Sequence, residues 1–311
     1  MRRRPGLTAA ALLITALGWS ACSGPPATAS GSGTLRVVAT TTQVGQVAAE
    51  LGGSDMQLTT LLSPGAEAHE LEITPAQAAA IEDADVILVS GAGLETWLDD
   101  TLHTIGGQDK VRDMSHGVAL RMTDEAGSQE TDPHYWLTGP NAMIMVRNVR
   151  DALAAAAPSA ADAIAARADA YLARLETADK RVRALIADVP QEDRGIVTNH
   201  DALGYFIDEY GLRFVGSIFS SLDVSADPNP QQLAQLVETI RANHVTAIFS
   251  ESAVNPKLAR AIAQESGAQV ADGVLYTDSL GPPGSDAETL DTMLVLDATV
   301  IHDGLLQGKR P

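Results

Sequence analysis

The sequence has one cysteine, Cys22, and few aromatic residues, which make up 4% of its 311 positions. Because a disulfide needs two thiols, the chain cannot form an internal one, and its stability must come from its hydrophobic core. A site for a large organic ligand such as a siderophore or cobalamin needs a cleft lined by aromatic and arginine side chains. The scarcity of aromatic residues argues against a site of that kind.

Basic residues are also scarce, with 21 Lys and Arg against 40 Asp and Glu. Three of the arginines lie within the first four residues, and without them the formal net charge falls from −19 to −22. Such an acidic surface repels the phosphates of nucleic acids and attracts cations. The composition therefore predicts no nucleic-acid partner.

The first apolar run is too short for a permanent membrane helix, but the N-terminus has the features of an export signal. Three arginines precede this run, and small residues follow it up to Cys22. We predict a signal peptide at 1–21, since the sequence WSAC ending at Cys22 resembles the site at which bacterial lipoproteins are cleaved. A lipid on Cys22 and a flexible tether at 22–34 would hold the exported chain on the outer face of the cytoplasmic membrane. An incidental cysteine inside a removed signal is the alternative.

From Leu35 onward, short runs of β-branched residues alternate with helical stretches, and the pattern occurs twice. The runs lie at 35–41, 56–63, 85–91 and 111–115 in the first half and at 195–200, 213–219, 245–251 and 268–275 in the second. Strands separated by helices indicate βαβ units and parallel sheets. The pattern predicts two α/β lobes, 35–157 and 191–311, each with a mostly parallel sheet.

The two halves are joined by residues 158–190, a stretch bounded by Pro158 and Pro190 that contains no glycine. It is rich in Ala, Leu, Arg and Glu, which are strong helix formers, and its apolar residues fall on one stripe. We predict one long helix that bridges the lobes. A coiled-coil dimerisation helix is the alternative, but a single stripe that leads directly into a strand favours a linking helix in a monomer.

Four residues that can bind a metal ion lie where a cleft between the lobes is expected. His69, His200 and Asp278 follow the carboxyl ends of predicted strands, and His134 lies in the last crossover of the first lobe. Taken singly, each is more often a cap, turn or core residue. Ligands of open α/β sheets bind at the carboxyl ends of strands, so their joint placement predicts a metal site in the interlobe cleft.

Three imidazoles and one carboxylate make a tetrahedral donor set of the kind that Zn²⁺ prefers, whereas Mn²⁺ favours more oxygen ligands. Because imidazole must lose its proton to bind, affinity is expected to fall below about pH 6.5. A secreted zinc hydrolase is the alternative from another class, with Glu70 or Glu251 as general base. Against it, the chain has no H-E-x-x-H motif, and Asp278 would take the position of the catalytic water. We therefore predict no enzymatic activity.

Several motifs, in one order along nearly the whole mature chain, resemble the metal-binding solute-binding proteins of bacterial ABC importers. They are VVATTTQVGQVAAELGG, SPGAEAHELEITPAQAAAIEDADVILVSGAGLETWLD, DPHYWLTGPNA, NHDALGYFIDEYGL, IFSESAVNPKLARAIAQESGAQV and LYTDSLGPPGSDAETLDTM. The resemblance implies capture of zinc or manganese outside the cytoplasmic membrane and delivery to a membrane permease. It implies ligands at His69, His134, His200 and Asp278. Glu251 matches a glutamate near the site and is implied to orient a ligand or to supply an alternative oxygen.

The chain departs from the pattern of this family near His134. Many relatives have DPHxWLDP where this chain has DPHYWLTGPN, so the following loop is expected to differ. Many zinc-specific members have a His-rich loop before this motif, but residues 122–133 contain no histidine. Manganese-selective members often have glutamate at the position of His200, and the histidine therefore favours zinc.

Overall fold

A computed structural model describes residues 34–125, 128–219 and 228–307, which belong to one unit. The predicted signal peptide at 1–21, Cys22 and all but the last residue of the predicted tether lie outside the described residues. Among the helices of the described part, none has both the length and the apolarity that a membrane crossing requires.

The first lobe is built on a four-stranded parallel sheet, as the apolar runs predict. In the order β2-β1-β3-β4, its strands are β1 (Leu35–Ala39), β2 (Met56–Thr60), β3 (Val86–Val89) and β4 (Val111–Asp113). The helices that follow the first three strands are α1 (Thr42–Gly52), α2 (Pro75–Asp83) and α3 (Thr96–Ile105). Because all four strands are parallel, their carboxyl ends share one edge, and the loop with His69 leaves this edge after β2.

An antiparallel hairpin follows the first sheet, and the sequence patterns did not predict it. Its strands are β5 (Met122–Glu125) and β6 (Ser128–Thr131). A half-buried strand is normally recognised by alternating apolar and polar residues. This segment is polar and acidic and lacks that alternation. The hairpin ends three residues before His134, and helix α4 (Gly139–Ala156) begins shortly after it.

The second lobe repeats the parallel arrangement with shorter strands. In the order β10-β9-β7-β8, they are β7 (Gly195–Thr198), β8 (Arg213–Ser217), β9 (Ala247–Ile248) and β10 (Gln269–Val270). Its helices are α6 (Gly204–Tyr210), α7 (Pro230–Ala242), α8 (Lys257–Ser266) and α9 (Leu290–Gln307). The strands predicted at 245–251 and 268–275 therefore reduce to two residues each, with one further bridge between Glu251 and Leu275.

The linking helix is α5 (Ala161–Asp188), preceded by a 3-10 turn at Pro158–Ala160. It packs against α1 and α4 of the first lobe and against α6 and α9 of the second. One hydrophobic core runs from Val37 in β1 through Tyr171 on α5 to Ile301 on α9. The predicted fold class, two parallel-sheet lobes bridged by a long helix, is confirmed. The domain limits at 157/158 and 190/191 stay predictions.

A buried carboxyl group, that of Glu95, lies at the carboxyl edge of the first sheet. It accepts hydrogen bonds from the Thr40 hydroxyl at 2.6 Å and from the backbone N–H groups of Ser90 and Gly91 at 2.6 and 3.0 Å. Burial raises the pKa of Glu95 from 4.5 to about 7. A raised pKa means that the fold favours the neutral form. Its contribution to stability is therefore complete below pH 4.5 and is lost as the pH rises through 7.

The substitution Glu95→Gln tests this contribution because glutamine stays neutral at every pH. Relative to the variant, the wild-type protein is expected to lose about 3 kcal/mol of unfolding free energy between pH 4.5 and 8, at about 1.4 kcal/mol per pKa unit. Urea unfolding of both proteins at several pH values measures the difference. A constant difference over this range would contradict the raised pKa.

Candidate metal centre

The four residues predicted as ligands converge on one point between the lobes. His69, His134, His200 and Asp278 each offer one donor atom, and these atoms all lie within 4.8 Å of one another. His134, His200 and Asp278 are at most 1% exposed, whereas His69 is partly exposed. The point is therefore closed by protein on most sides and reached from solvent past His69.

The spacing of the donor atoms suits a small four-coordinate ion. Nε2 of His69 lies 3.1 Å from Nε2 of His134. Oδ1 of Asp278 lies 3.3 Å from Nε2 of His134 and 3.4 Å from Nε2 of His200. Ligand atoms placed about 2.0–2.1 Å from a tetrahedral Zn²⁺ are themselves about 3.3 Å apart. These three separations are close to that value.

Buried polar atoms at this point lack hydrogen-bond partners. Neither carboxylate oxygen of Asp278 has one among the described residues, and the same holds for Nε2 of His200. Burial alone would raise the pKa of Asp278, but His200 and His134 hold it well below its usual value, so the group is ionised. A buried anion without hydrogen bonds is costly unless a cation is near. A metal ion bound here would supply the missing partner to both residues.

His134 is oriented by Asp132, the acidic residue two positions before it. Oδ1 of Asp132 accepts from the backbone N–H of His134 at 3.0 Å and lies 2.9 Å from Nδ1 of its ring. This contact leaves Nε2 of His134 facing the metal position. The sequence did not predict this contact. The acid-x-His spacing is the available signal, since Glu67 likewise accepts from the backbone N–H of His69 at 2.9 Å.

Glu251 lies behind His200, on the side away from the metal position. Its Oε1 accepts from the backbone N–H groups of Asn199 and His200 at 2.9 and 3.0 Å, and its Oε2 accepts from the Thr277 hydroxyl at 2.7 Å. Oε2 also lies 2.6 Å from Nδ1 of His200, although the pair is not aligned as a hydrogen bond. Of the two implied roles, this placement supports orientation of His200 and not the supply of an alternative oxygen ligand.

The substitution Glu251→Gln keeps the shape of this side chain and removes its charge. We expect it to weaken metal binding by about 10- to 100-fold, the usual effect of losing a group that orients a ligand. Competition with a chromophoric chelator measures the affinity. The matched control is Glu238→Gln, since Glu238 is exposed and pairs with Arg241 on α7. An affinity of Glu251→Gln within twofold of the wild type would contradict the orienting role.

The two buried histidines bind protons tightly when no metal is present. Burial would lower the pKa of His134, but Asp132 and Asp278 raise it to about 9. In the same way, Glu251 and Asp278 overcome the effect of burial and raise the pKa of His200 well above its usual value. A metal ion must therefore displace protons at neutral pH. The sequence predicts that metal affinity falls below about pH 6.5. With these raised pKa values, the fall in affinity is expected to begin at a higher pH.

Hydrogen bonds from outside the site hold the segments that contain two of the predicted ligands. Nε1 of Trp97 donates to the carbonyl oxygen of Ala68, next to His69, at 3.2 Å. Nε1 of Trp136 in the first lobe donates to the carbonyl oxygen of Thr277, next to Asp278, at 2.9 Å. The ligand segments are loops, and these bonds fix their positions.

The unusual sequence TGP after Leu137 forms the start of α4. The Thr138 hydroxyl accepts from the backbone N–H of Asn141 at 3.3 Å, which is a helix N-cap, and Pro140 lies in the first turn. A Cβ atom on Gly139 would lie 2.6 Å from the Asp179 side chain on α5, so only glycine fits against the linking helix. In this chain the three residues therefore cap α4 and let it pack closely against the linking helix.

Comparison with known proteins places this arrangement in one family. The sequence model of the family described as zinc-uptake complex component A, periplasmic, matches residues 37–304. The manganese-binding lipoprotein MntA of Bacillus subtilis is 32% identical over 295 residues, covering 93% of this chain and 95% of that protein. The zinc-binding lipoprotein AdcA of Streptococcus pneumoniae is 28% identical over 268 residues, covering 80% of this chain and 50% of its own length.

Solved structures agree with the sequence comparison. The periplasmic zinc-binding protein TroA from Treponema pallidum superimposes with a TM-score of 0.81 and 26% identity, covering 88% of this chain and 99% of that one. The likeness extends over both lobes and the linking helix. The chain therefore belongs to the family of the periplasmic component A of zinc-uptake complexes, the metal-binding substrate-binding proteins of ABC importers.

Proposed function

We propose that the protein captures Zn²⁺ in the cleft between its lobes and delivers it to the permease of an ABC importer. The proposed ligands are His69, His134, His200 and Asp278. The observation that supports this proposal best is the convergence of three imidazole nitrogens and one carboxylate oxygen within 4.8 Å. Four donors of this kind in a closed, largely buried site suit a tetrahedral zinc ion.

Manganese is the second candidate for the bound metal. It is favoured by the Bacillus subtilis relative, which is named a manganese-binding lipoprotein and is 32% identical to this chain. The donor set favours zinc, because nitrogen-rich sites bind Zn²⁺ more tightly than Mn²⁺ and Mn²⁺ prefers oxygen ligands. We give the donor set more weight, since a relative at this identity can differ at individual ligands.

Family membership places the protein outside the cytoplasmic membrane, and relatives such as the Bacillus subtilis protein are named lipoproteins. Anchoring through a lipid on Cys22 and a monomeric state are part of the proposal. The partner is the permease, which receives the metal ion as cargo. Release would require the permease to open the site, because Asp278 and His134 come from different lobes and both take part in it.

The zinc hydrolase alternative is less well supported by the geometry. A catalytic zinc needs an open fourth position for water, and Asp278 is placed to take that position. Of the two residues considered as general base, Glu70 is exposed and Glu251 accepts hydrogen bonds behind His200. The donor set thus favours holding a metal ion over activating water.

A competition experiment tests both the function and the metal. The chain without its signal is stripped with a chelator and offered equal concentrations of Zn²⁺ and Mn²⁺, and native mass spectrometry reports the bound ion. We expect one zinc ion per chain in the wild type and a lower zinc occupancy in Asp278→Ala, where water must replace the carboxylate. Retention of manganese instead would overturn the metal assignment, and retention of neither ion would overturn the proposed function.

A further inference from the structure

The carboxylate that orients His134 has a cation on its other side. Asp132 is fully buried, and its Oδ1 is occupied by the backbone and ring of His134. Its Oδ2 accepts from Nη1 of Arg121 at 3.1 Å. The Arg121 side chain is 27% exposed. Isolated surface ion pairs contribute little to stability. Removing the partner of a buried carboxylate is far more costly, because an unpaired charge is left in the interior.

Arg121 also connects this carboxylate to the second lobe. Its Nε donates to Oδ2 of Asp208 on α6 at 3.2 Å. Its backbone N–H donates to the Tyr205 hydroxyl at 2.8 Å, and that hydroxyl donates to the carbonyl oxygen of Asp132 at 3.0 Å. Helix α6 begins four residues after His200. Arg121 is therefore bonded both to the support of His134 and to the helix that follows His200.

The contact between Arg121 and Asp132 is made possible by a glycine. A Cβ atom on Gly204, the first residue of α6, would lie 2.3 Å from Nη1 of Arg121 and 2.7 Å from Oδ2 of Asp132. Gly204 does not have a positive φ, so its backbone conformation is open to any residue. Position 204 requires glycine because the ion pair between Arg121 and Asp132 fills the space that a side chain would need.

We propose that Arg121 is a positioning residue for metal capture. Through Asp132 it fixes the ring of His134, and through Asp208 and Tyr205 it joins that ligand to the second lobe. Arg121 does not touch the metal position, and it acts only through these partners. This inference rests on the proposed function, since it concerns the affinity of the same site.

Four variants of the full mature chain test the inference by competition between the protein and a chromophoric chelator for Zn²⁺. Arg121→Gln is expected to weaken binding about tenfold, near the lower end of the effect of losing a group that orients a ligand. Arg121→Lys should recover part of the loss, because an ammonium can still pair with Asp132. Gly204→Ala should weaken binding by a similar factor, because its methyl group displaces the ion pair. The control Arg36→Gln should bind as the wild type does, since Arg36 pairs with Asp83 and Asp85 away from the site.

A double-mutant cycle separates positioning from a general loss of structure. If Arg121 acts through Asp132, adding Arg121→Gln to Asp132→Asn should change the affinity by less than about twofold, because coupled residues are not additive. An additional tenfold loss in the Asp132→Asn background would overturn the inference. Wild-type affinity in Arg121→Gln would also overturn it.

Failure of the inference and failure of the proposed function are distinguishable in this design. The proposed function fails if the wild-type protein does not bind Zn²⁺, whereas the inference fails if the wild type binds and the variants bind equally well. Circular dichroism of each metal-free variant checks that it is folded. If Arg121→Gln does not fold, Gly204→Ala and Arg121→Lys provide the test. A reduced affinity in Gly204→Ala, with a smaller loss in Arg121→Lys, supports the inference. Wild-type affinity in both variants overturns it.

Discussion

The substitution His134→Ala is expected to weaken Zn²⁺ binding by at least about 100-fold, more than the loss of a group that only orients a ligand. The substitution removes one of four donors and also leaves Asp132 without the ring that it contacts at 2.9 Å. It opens a position at the metal that water can fill, and water is a weaker ligand than imidazole. Isothermal titration with competing chelator, at pH 8, measures the change.

A histidine elsewhere in the chain provides the matched control. His302 on α9 lies 3.1 Å from Asp188 and 2.9 Å from Asp303, so it too has carboxylate partners, but it is outside the metal site. His302→Ala is expected to leave the affinity within about twofold of the wild type. Equal losses in the two variants would mean that the effect of His134→Ala comes from unfolding and not from a lost ligand.

Zinc affinity is expected to rise by about 10- to 100-fold for each pH unit between pH 6 and 8, because binding displaces one to two protons. The pKa of His134 is raised to about 9 and that of His200 is raised well above its usual value, so both rings favour the protonated form in the metal-free protein. Each proton that the metal displaces contributes a factor of ten per pH unit. The contribution of His134 to this dependence should level off as the pH passes 9, where that ring is already neutral.

Proton release gives an independent readout of the same effect. Titrations at pH 7 in buffers with different ionisation enthalpies report the number of protons released per zinc ion bound. Asp132→Asn should release fewer, because Asp132 is one of the two carboxylates that raise the pKa of His134. An affinity that is constant above about pH 7.5 would contradict the raised pKa values and support ordinary histidine pKa values of about 6.5.

The parts of the fold that the sequence predicted are those encoded locally. The apolar run at 85–91 forms β3, and the glycine-free stretch at 158–190 forms α5 after one 3-10 turn. Thr74 followed by Pro75 is the pattern of an N-cap and a proline at the first helical position, and α2 begins there in the structure. Periodicity, helix propensity and caps act over a few residues, so they can be interpreted without knowledge of the tertiary structure.

The parts that the sequence could not predict depend on contacts between distant segments. The bond from Trp136 to Thr277 spans 141 positions, and the bond from Arg121 to Tyr205 spans 84. Gly204 does not lie in a turn, and the need for glycine there is explained only by the ion pair that occupies the space of a side chain. The four proposed ligands could be predicted because each lies just after a predicted strand or within a family motif. The residues that orient them depend on tertiary packing and could not be predicted in this way.

X-ray absorption at the zinc edge, on protein loaded with one equivalent of Zn²⁺, reports which atoms bind the ion. We expect three imidazole nitrogens at about 2.0–2.1 Å and one carboxylate oxygen at about 2.0–2.2 Å around the ion. We expect one fewer imidazole in each of the alanine variants of His69, His134 and His200. A shell of mostly oxygen ligands, or an imidazole count unchanged in those variants, would contradict binding at this site.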